Sequence, residues 1–283
     1  MKSSRFTLHV LLLGVLLLVA WNALARRSGW RAKFADSDYQ ANRIRLESYF
    51  LDPPAPVILV GSSVTGRLDR SYFEKTQVPN VANLGLDGCV VSFSLAVAAE
   101  RSLAGRCVVV EHYSLLLSSP GNEAATRQIF SPSNLVLPSW MGGFRADIRP
   151  TALIYSGLKQ RRDMGGGSAG TKVLGVRKMS DLTPAELVQL ENRKRSLSKI
   201  INQGARVVVM RMPYGEAEGP EVDREPDFVS AFAADLGVPE IDIPRRLRAK
   251  SIPLRYSDGL HLVESSARAA SVVLAEELNG ILH

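Results

Sequence analysis

At 283 residues, 46% of them hydrophobic, the chain can bury one sizeable core, and without internal repeats or long low-complexity tracts it is expected to form one main domain rather than two. Its formal charge of +7 gathers in clusters such as Arg193-Lys194-Arg195 and Arg245, Arg246, Arg248 and Lys250 that lack interleaved aromatic residues or any nucleic-acid-binding motif. Nucleic acid is therefore not the expected partner, and solvated faces or attraction to anionic lipid or polysaccharide account better for the charge.

Residues 1–28 form a targeting segment. Lys2 and Arg5 precede an apolar run over 6–21, and twenty residues to Ala25 span ~30 Å as a helix, the thickness of a bilayer core. A membrane anchor is expected, with cleaved secretion as the alternative because Ala23-Leu24-Ala25 carries the small-residue pattern of a signal-peptidase site. Arg26, Arg27, Arg31 and Lys33 outnumber Lys2 and Arg5, which on charge alone favours a cytoplasmic domain. Residues 29–52 read as a tether with a short helix over 39–50 that packs under the first strand.

Pro53, Pro54 and Pro56 then bar a helix, and Val57-Ile58-Leu59-Val60 is an aliphatic, β-favouring run suited to a parallel strand buried on both faces. Gly61 ends it at a sharp turn, and Ser62 and Ser63 follow at the strand's carboxyl end, where open α/β sheets place their ligands. The spacing Gly61 to Gly66 imitates a phosphate loop, but Arg67 and Leu68 stand where Lys and a hydroxyl are needed. The other reading makes Ser63 a nucleophile, which needs a base. Of four histidines, His9 lies in the apolar run and His283 is the last residue, leaving His112 and His261. Asp258 precedes His261 by three residues, close enough to hold its tautomer as the third member of a Ser-His-Asp group does.

A second strand is expected over 81–84, broken by Gly85 and Gly88, then a helix over 90–103 and a third strand over 106–111. Cys89 and Cys107 flank that helix at opposite ends, ~20 Å apart, beyond the ~7 Å a disulfide allows, so two free buried thiols are expected. Residues 118–181 read as a long irregular insertion, with 132–158 as a cap over the site and the glycine tract 165–170 as a mobile loop. Thr183-Pro184-Ala185-Glu186 opens a helix that runs to Gln203, with Thr183 as N-cap and Glu186 closing a capping box. A strand over 205–210 follows and delivers Arg211 and Tyr214 to the carboxyl edge as candidate substrate-binding residues. A helix over 227–236, an edge strand over 239–243 and an amphipathic helix over 264–278 complete the chain.

On Gly61-Ser62-Ser63, Asn83-Leu84-Gly85-Leu86-Asp87-Gly88 and Asp258-Gly259-Leu260-His261, in that order, the chain resembles the SGNH (GDSL-like) hydrolases. The resemblance implies a three-layer, flavodoxin-like α/β fold with a central parallel sheet over 53–283. It implies Ser63, Asp258 and His261 as catalytic residues and the backbone amides of Ser63 and Gly88 as oxyanion donors, with no metal or cofactor. The family's third block should add an Asn, whereas here the strand runs into His112-Tyr113-Ser114. An oxyanion donor is worth ~3 kcal/mol, so either His112, Tyr113, Ser114 or Asn122 substitutes for it or the enzyme is slow. The family includes membrane-anchored envelope acyltransferases and deacetylases. The implied substrate is an acyl ester on a cell-envelope glycan, handled by an esterase or O-acyltransferase outside the cytoplasm, with envelope polysaccharide biosynthesis proteins as partners. A degenerate member that binds glycan or scaffolds without turnover is the alternative.

Overall fold

The structure is a computed structural model describing residues 2–32, 35, 37–116, 123–129, 132–163, 178–213, 227–258 and 260–283. In chain order its main elements are α1 (Lys2–Ser28), α2 (Asp38–Leu51), β1 (Val57–Gly61), α3 (Ser63–Gly66), β2 (Val81–Gly85), α4 (Val91–Ala98) and β3 (Cys107–Glu111). They continue with α5 (Glu123–Ile129), α6 (Pro132–Trp140), α7 (Pro150–Asp163), α8 (Pro184–Asn202), β4 (Arg206–Arg211), α9 (Phe228–Leu236), β5 (Glu240–Asp242), α10 (Ile243–Ala249) and α11 (Glu264–Leu282). They form two compact units, one of Met1–Asp52 with Ala125–Arg162, the other of Pro53–Ala124 with Asp163–His283.

The second unit is α/β, built on a five-stranded sheet in the order β2-β1-β3-β4-β5 with every neighbouring pair parallel. The chain leaves β1 toward β2 and then returns past it to β3, so the crevice between β1 and β3 is the switch point where such sheets bind ligands. Residues 57–60 are wholly buried, as a strand covered on both faces requires. The α8 start follows its sequence signals: Thr183 Oγ1 accepts from Glu186 N at 3.3 Å, and Glu186 Oε2 accepts from Thr183 N at 2.9 Å.

Two local expectations change. The helix expected over 90–103 ends at Ala98, where Glu100 N and Arg101 N turn to the i−3 carbonyls of Val97 and Ala98 and the chain tightens out of the helix. The strand at 239–243 is only Glu240–Asp242, because the Asp242 side chain caps α10 by accepting from Arg245 N at 2.9 Å. The basic residues of α10 and its cap Lys250 form an exposed, solvated face as expected, with Arg246 3.0 Å from Glu277 and Lys250 beside Glu276 of α11.

The first unit joins α1, α2, α6 and α7, so the stretch expected as an irregular cap holds helices and belongs with the N-terminal residues. Within this unit helix α2 finds several partners. Asn42 Nδ2 donates to Thr126 Oγ1 at 3.2 Å, and Glu47 accepts from Ala146 N at 2.6 Å and pairs with Arg43 at 2.7 Å. Two further ion pairs at 2.6 Å, Arg31 with Asp147 and Arg145 with Asp52, tie the segment after α1 and the end of α2 to residues 145–147. Helix α1 contains the span Phe6–Ala25, long and apolar enough to cross a membrane.

Candidate active site

β1 hands the chain to a single helical turn. Ser62 is its N-cap, with Oγ accepting from Val64 N at 3.3 Å, and Ser63 is the first residue of α3. Two glycines make this turn possible by lacking a side chain. A Cβ on Gly61 would stand 2.4 Å from Glu111 Oε2 and 2.5 Å from Thr65 Oγ1, and one on Gly85 would stand 2.3 Å from Gly66 N. Gly85 thus lets α3 rest directly on β2. Asn83 secures the contact: its Nδ2 donates to the carbonyls of Thr65 at 2.8 Å and Leu68 at 2.7 Å, while its Oδ1 accepts from Gly85 N at 2.7 Å.

Beneath the turn lies Glu111, fully buried at the end of β3. Its carboxylate accepts from Ser62 N at 2.8 Å, from Ser62 Oγ at 3.0 Å and from Thr65 Oγ1 at 2.7 Å. A buried carboxylate is tolerated only when its oxygens are satisfied in this way. Sequence reasoning passed over Glu111 and Thr65, and it took Asn83 only as the opening of the second block, with no role of its own. The available signal was a charge closing the aliphatic run Cys107-Val108-Val109-Val110, where a strand buried along its whole length should not carry one without a partner.

The loop before α11 brings in the other two residues. It is closed by a bridge between Tyr256 and Leu262 and by Ser257 N donating to His261 O at 2.8 Å. Asp258 turns back on the loop: Oδ1 accepts from His261 N at 2.8 Å and Leu260 N at 3.1 Å, and Oδ2 lies 2.6 Å from His261 Nδ1. Partial burial would raise the Asp258 carboxyl, but the His261 amide and ring and the Leu260 amide outweigh it and hold it down at about 2. An ionised acceptor at Nδ1 keeps a proton there and leaves Nε2 as an acceptor. Nε2 lies 2.8 Å from Ser63 Oγ across 198 positions of sequence. The three residues chosen from sequence are therefore brought into one hydrogen-bonded chain, with Ser63 and the His261 ring partly exposed.

Gly88 sits at the third position of the turn closed by Cys89 N and Leu86 O, with φ +69° that suits glycine. Among the described residues, neither the Ser63 nor the Gly88 N–H has a hydrogen-bond partner. The substitute donors fare unevenly. Ser114 is corrected: it is fully buried and its one hydroxyl proton goes to Glu111 O at 2.8 Å, so it has none for an oxyanion. Tyr113 is partly buried against the core of the sheet unit. His112 accepts from Met212 N through Nδ1 at 3.3 Å, and desolvation with Arg211 nearby pushes its imidazole down to about 3. It is thus a neutral ring whose remaining proton sits on Nε2. Asn122 lies outside the described residues.

Arg211 is also corrected. It is gripped by Asp227, by Glu240 at 2.7 Å and by Asp242 at 3.6 Å, so its guanidinium is spent inside the protein and not offered to substrate. Burial works against its charge, but Asp227 and Glu240 raise the pKa above the ordinary value. Tyr214 lies outside the described residues. Cys89 and Cys107 are free and buried. Among the described residues no group of three or more His, Cys, Asp or Glu side chains is placed to hold a metal ion.

Compared with protein-family models, with curated proteins and with solved structures, the chain matches none.

Proposed function

We propose that the protein is a serine-dependent acyl-ester hydrolase or O-acyltransferase of the SGNH type, acting on acyl groups, acetyl above all, carried by a cell-envelope or exported polysaccharide. The observation that carries the reading is the chain from Ser63 Oγ to His261 Nε2 at 2.8 Å and from His261 Nδ1 to Asp258 at 2.6 Å. Strand order β2-β1-β3-β4-β5, the flavodoxin-like doubly wound order, and a serine at the carboxyl end of β1 support it. The apolar helix α1 supports a membrane anchor, and the outward-facing domain in this reading rests on the resemblance to envelope acyltransferases.

In the mechanism, His261 Nε2 takes the Ser63 hydroxyl proton as Oγ bonds to the ester carbonyl carbon. The carbonyl oxygen takes the negative charge and is held by the N–H groups of Ser63 and Gly88. The imidazolium, steadied by Asp258, gives its proton to the departing alkoxide as the C–O bond breaks. The acyl-serine then passes its acyl group to water or to a sugar hydroxyl, which His261 deprotonates in turn.

Full-length protein treated with a serine-directed fluorophosphonate should label on Ser63, and both Ser63→Ala and His261→Ala should abolish labelling. Equal labelling of wild type and Ser63→Ala defeats the proposal. A second reading, a glycan-binding protein without turnover, is favoured by the commitment of the Ser114 proton to Glu111 O, which removes one substitute for the third-block donor. It predicts no labelling of the wild type.

A further inference from the structure

All three tryptophans of the chain, Trp21, Trp30 and Trp140, fall in the first unit. Trp21 closes the apolar part of α1, whose large side chains from Phe6 to Val19 are exposed. Its indole Nε1 donates to Gly143 O at 3.2 Å, and Gly143 N donates to Asn22 Oδ1 at 3.0 Å. The approach is close enough that a Cβ on Gly143 would meet Trp21 Cδ1 at 2.9 Å and Asn22 Cα at 3.2 Å. The turn at 142–144 is therefore fastened to the last apolar turn of α1.

Trp140 ends α6 three residues before Gly143, a separation of at most about 11 Å of chain. It is 77% exposed, and Val136, one helical turn earlier on the same face, is 49% exposed. Trp30, two residues past α1, is 51% exposed, with Arg27 and Arg31 beside it in sequence. Large apolar side chains this exposed on Val136 and Trp140, one turn apart on α6, mark a surface that meets something. Tryptophans gathered at the end of an apolar helix, with arginines among them, have the composition of the headgroup layer. Continuity with the exposed apolar face of α1 favours lipid over a protein partner, because α1 in a bilayer leaves the end of α6 only that short reach from its surface.

We propose that Trp30 and the Val136–Trp140 face of α6 form a lipid-binding surface, seated in the headgroup layer of the membrane that α1 enters. The surface works as a second hold beside the anchor and fixes the first unit against the bilayer. The inference rests on α1 lying in lipid, as the proposed function also holds, and the test separates the two.

Full-length protein carrying one added cysteine at a time, Leu12→Cys, Val136→Cys, Trp140→Cys or Arg195→Cys, is labelled with an environment-sensitive fluorophore and reconstituted in phosphatidylcholine and phosphatidylglycerol vesicles. The four positions are exposed, so the fold is not at risk. Lipids brominated deep in the acyl chain should quench the probe at 12, lipids brominated near the headgroup should quench 136 and 140 by about twofold, and aqueous iodide alone should quench 195. If 12 responds to lipid while 136 and 140 behave as 195 does, the inference is overturned and the anchor stands. Probes at 136 and 140 that respond to neither quencher lie against another protein copy and overturn it equally. A probe at 12 untouched by lipid removes the anchor, and the inference with it.

Discussion

The Ser62 N–H donates to Glu111 Oε2 at 2.8 Å, and the same oxygen accepts from Thr65 Oγ1, so one buried carboxylate holds both sides of the turn that presents Ser63. The Glu111→Ala substitution leaves these donors and the Ser62 hydroxyl without that partner in the interior. Each such buried donor costs ~1–3 kcal/mol, so a loss of about 3 kcal/mol or more is expected. Glu111→Gln keeps one carbonyl oxygen and should lose less. Denaturant unfolding of both variants checks this, and wild-type stability in Glu111→Ala would show that the carboxylate holds nothing.

Asp258 fixes the tautomer of His261, and Asp258→Asn should lower the acylation rate by about 10²–10⁴ while leaving substrate affinity little changed. Its pKa near 2 lies below the ordinary carboxylate value, so the ionised form is favoured by folding, fully so above that value, and is lost only as pH falls through about 2. The acid limb of the rate profile should therefore show a single protonation down to about pH 3. A second break between about pH 3 and 5 would place the Asp258 titration elsewhere.

Arg211→Met leaves Asp227, Glu240 and Asp242 facing one another without their cation, and a loss of about 3 kcal/mol is expected at neutral pH. Burial would raise the Asp227 carboxyl, but Arg211 and the amides of Ser230 and Val229 lower it. Its contribution is present above the ordinary carboxylate pKa and fades as pH falls through the lowered one, so the gap between variant and wild type should narrow below about pH 4. KM for an aryl acetate should not move. A raised KM at unchanged stability would return Arg211 to the substrate.

Burial pushes the Cys107 thiol up to about 11, with Arg206 opposing only weakly. At pH 8 about one molecule in a thousand is thiolate. Iodoacetamide should leave both cysteines unmodified in the folded protein and alkylate both after unfolding, as read by intact mass.

Ala25 is buried and the Ala25–Arg26 bond lies inside α1, whose Trp21 and Asn22 hold Gly143. The N-terminal helix is thus part of a folded unit, and protein isolated from membranes should retain it. A mature chain beginning at Arg26 on N-terminal sequencing would contradict this.

Where local chemistry decides, the sequence was readable. Four aliphatic residues behind a proline-rich approach became β1, Thr183-Pro184-Ala185-Glu186 became the start of α8, and Asp258 three residues before His261 met the ring. What it withheld depends on partners distant along the chain. Nothing near Arg145 or Asp147 announces that they pair with Asp52 and Arg31, so residues 118–181 read as an irregular insertion and the membership of 125–162 in one unit with the N-terminus went unseen. Glu111 was missed for the same reason, since its donors lie 46 and 49 positions away on another strand's turn. Arg211 was misread because a cation at a sheet's carboxyl edge looks available until Asp227 and Glu240 close on it.

The fit of Glu111 under Gly61 also supplies a signature for recognising kin. Any side chain at 61 would collide with that carboxylate, and any side chain at 85 would press on the backbone of the serine turn, so the cradle needs both glycines together with the acid. A genome scan for Gly-Ser-Ser-x-Thr closing one aliphatic strand, Asn-x-Gly closing the next and Glu closing the third would gather proteins built on this cradle.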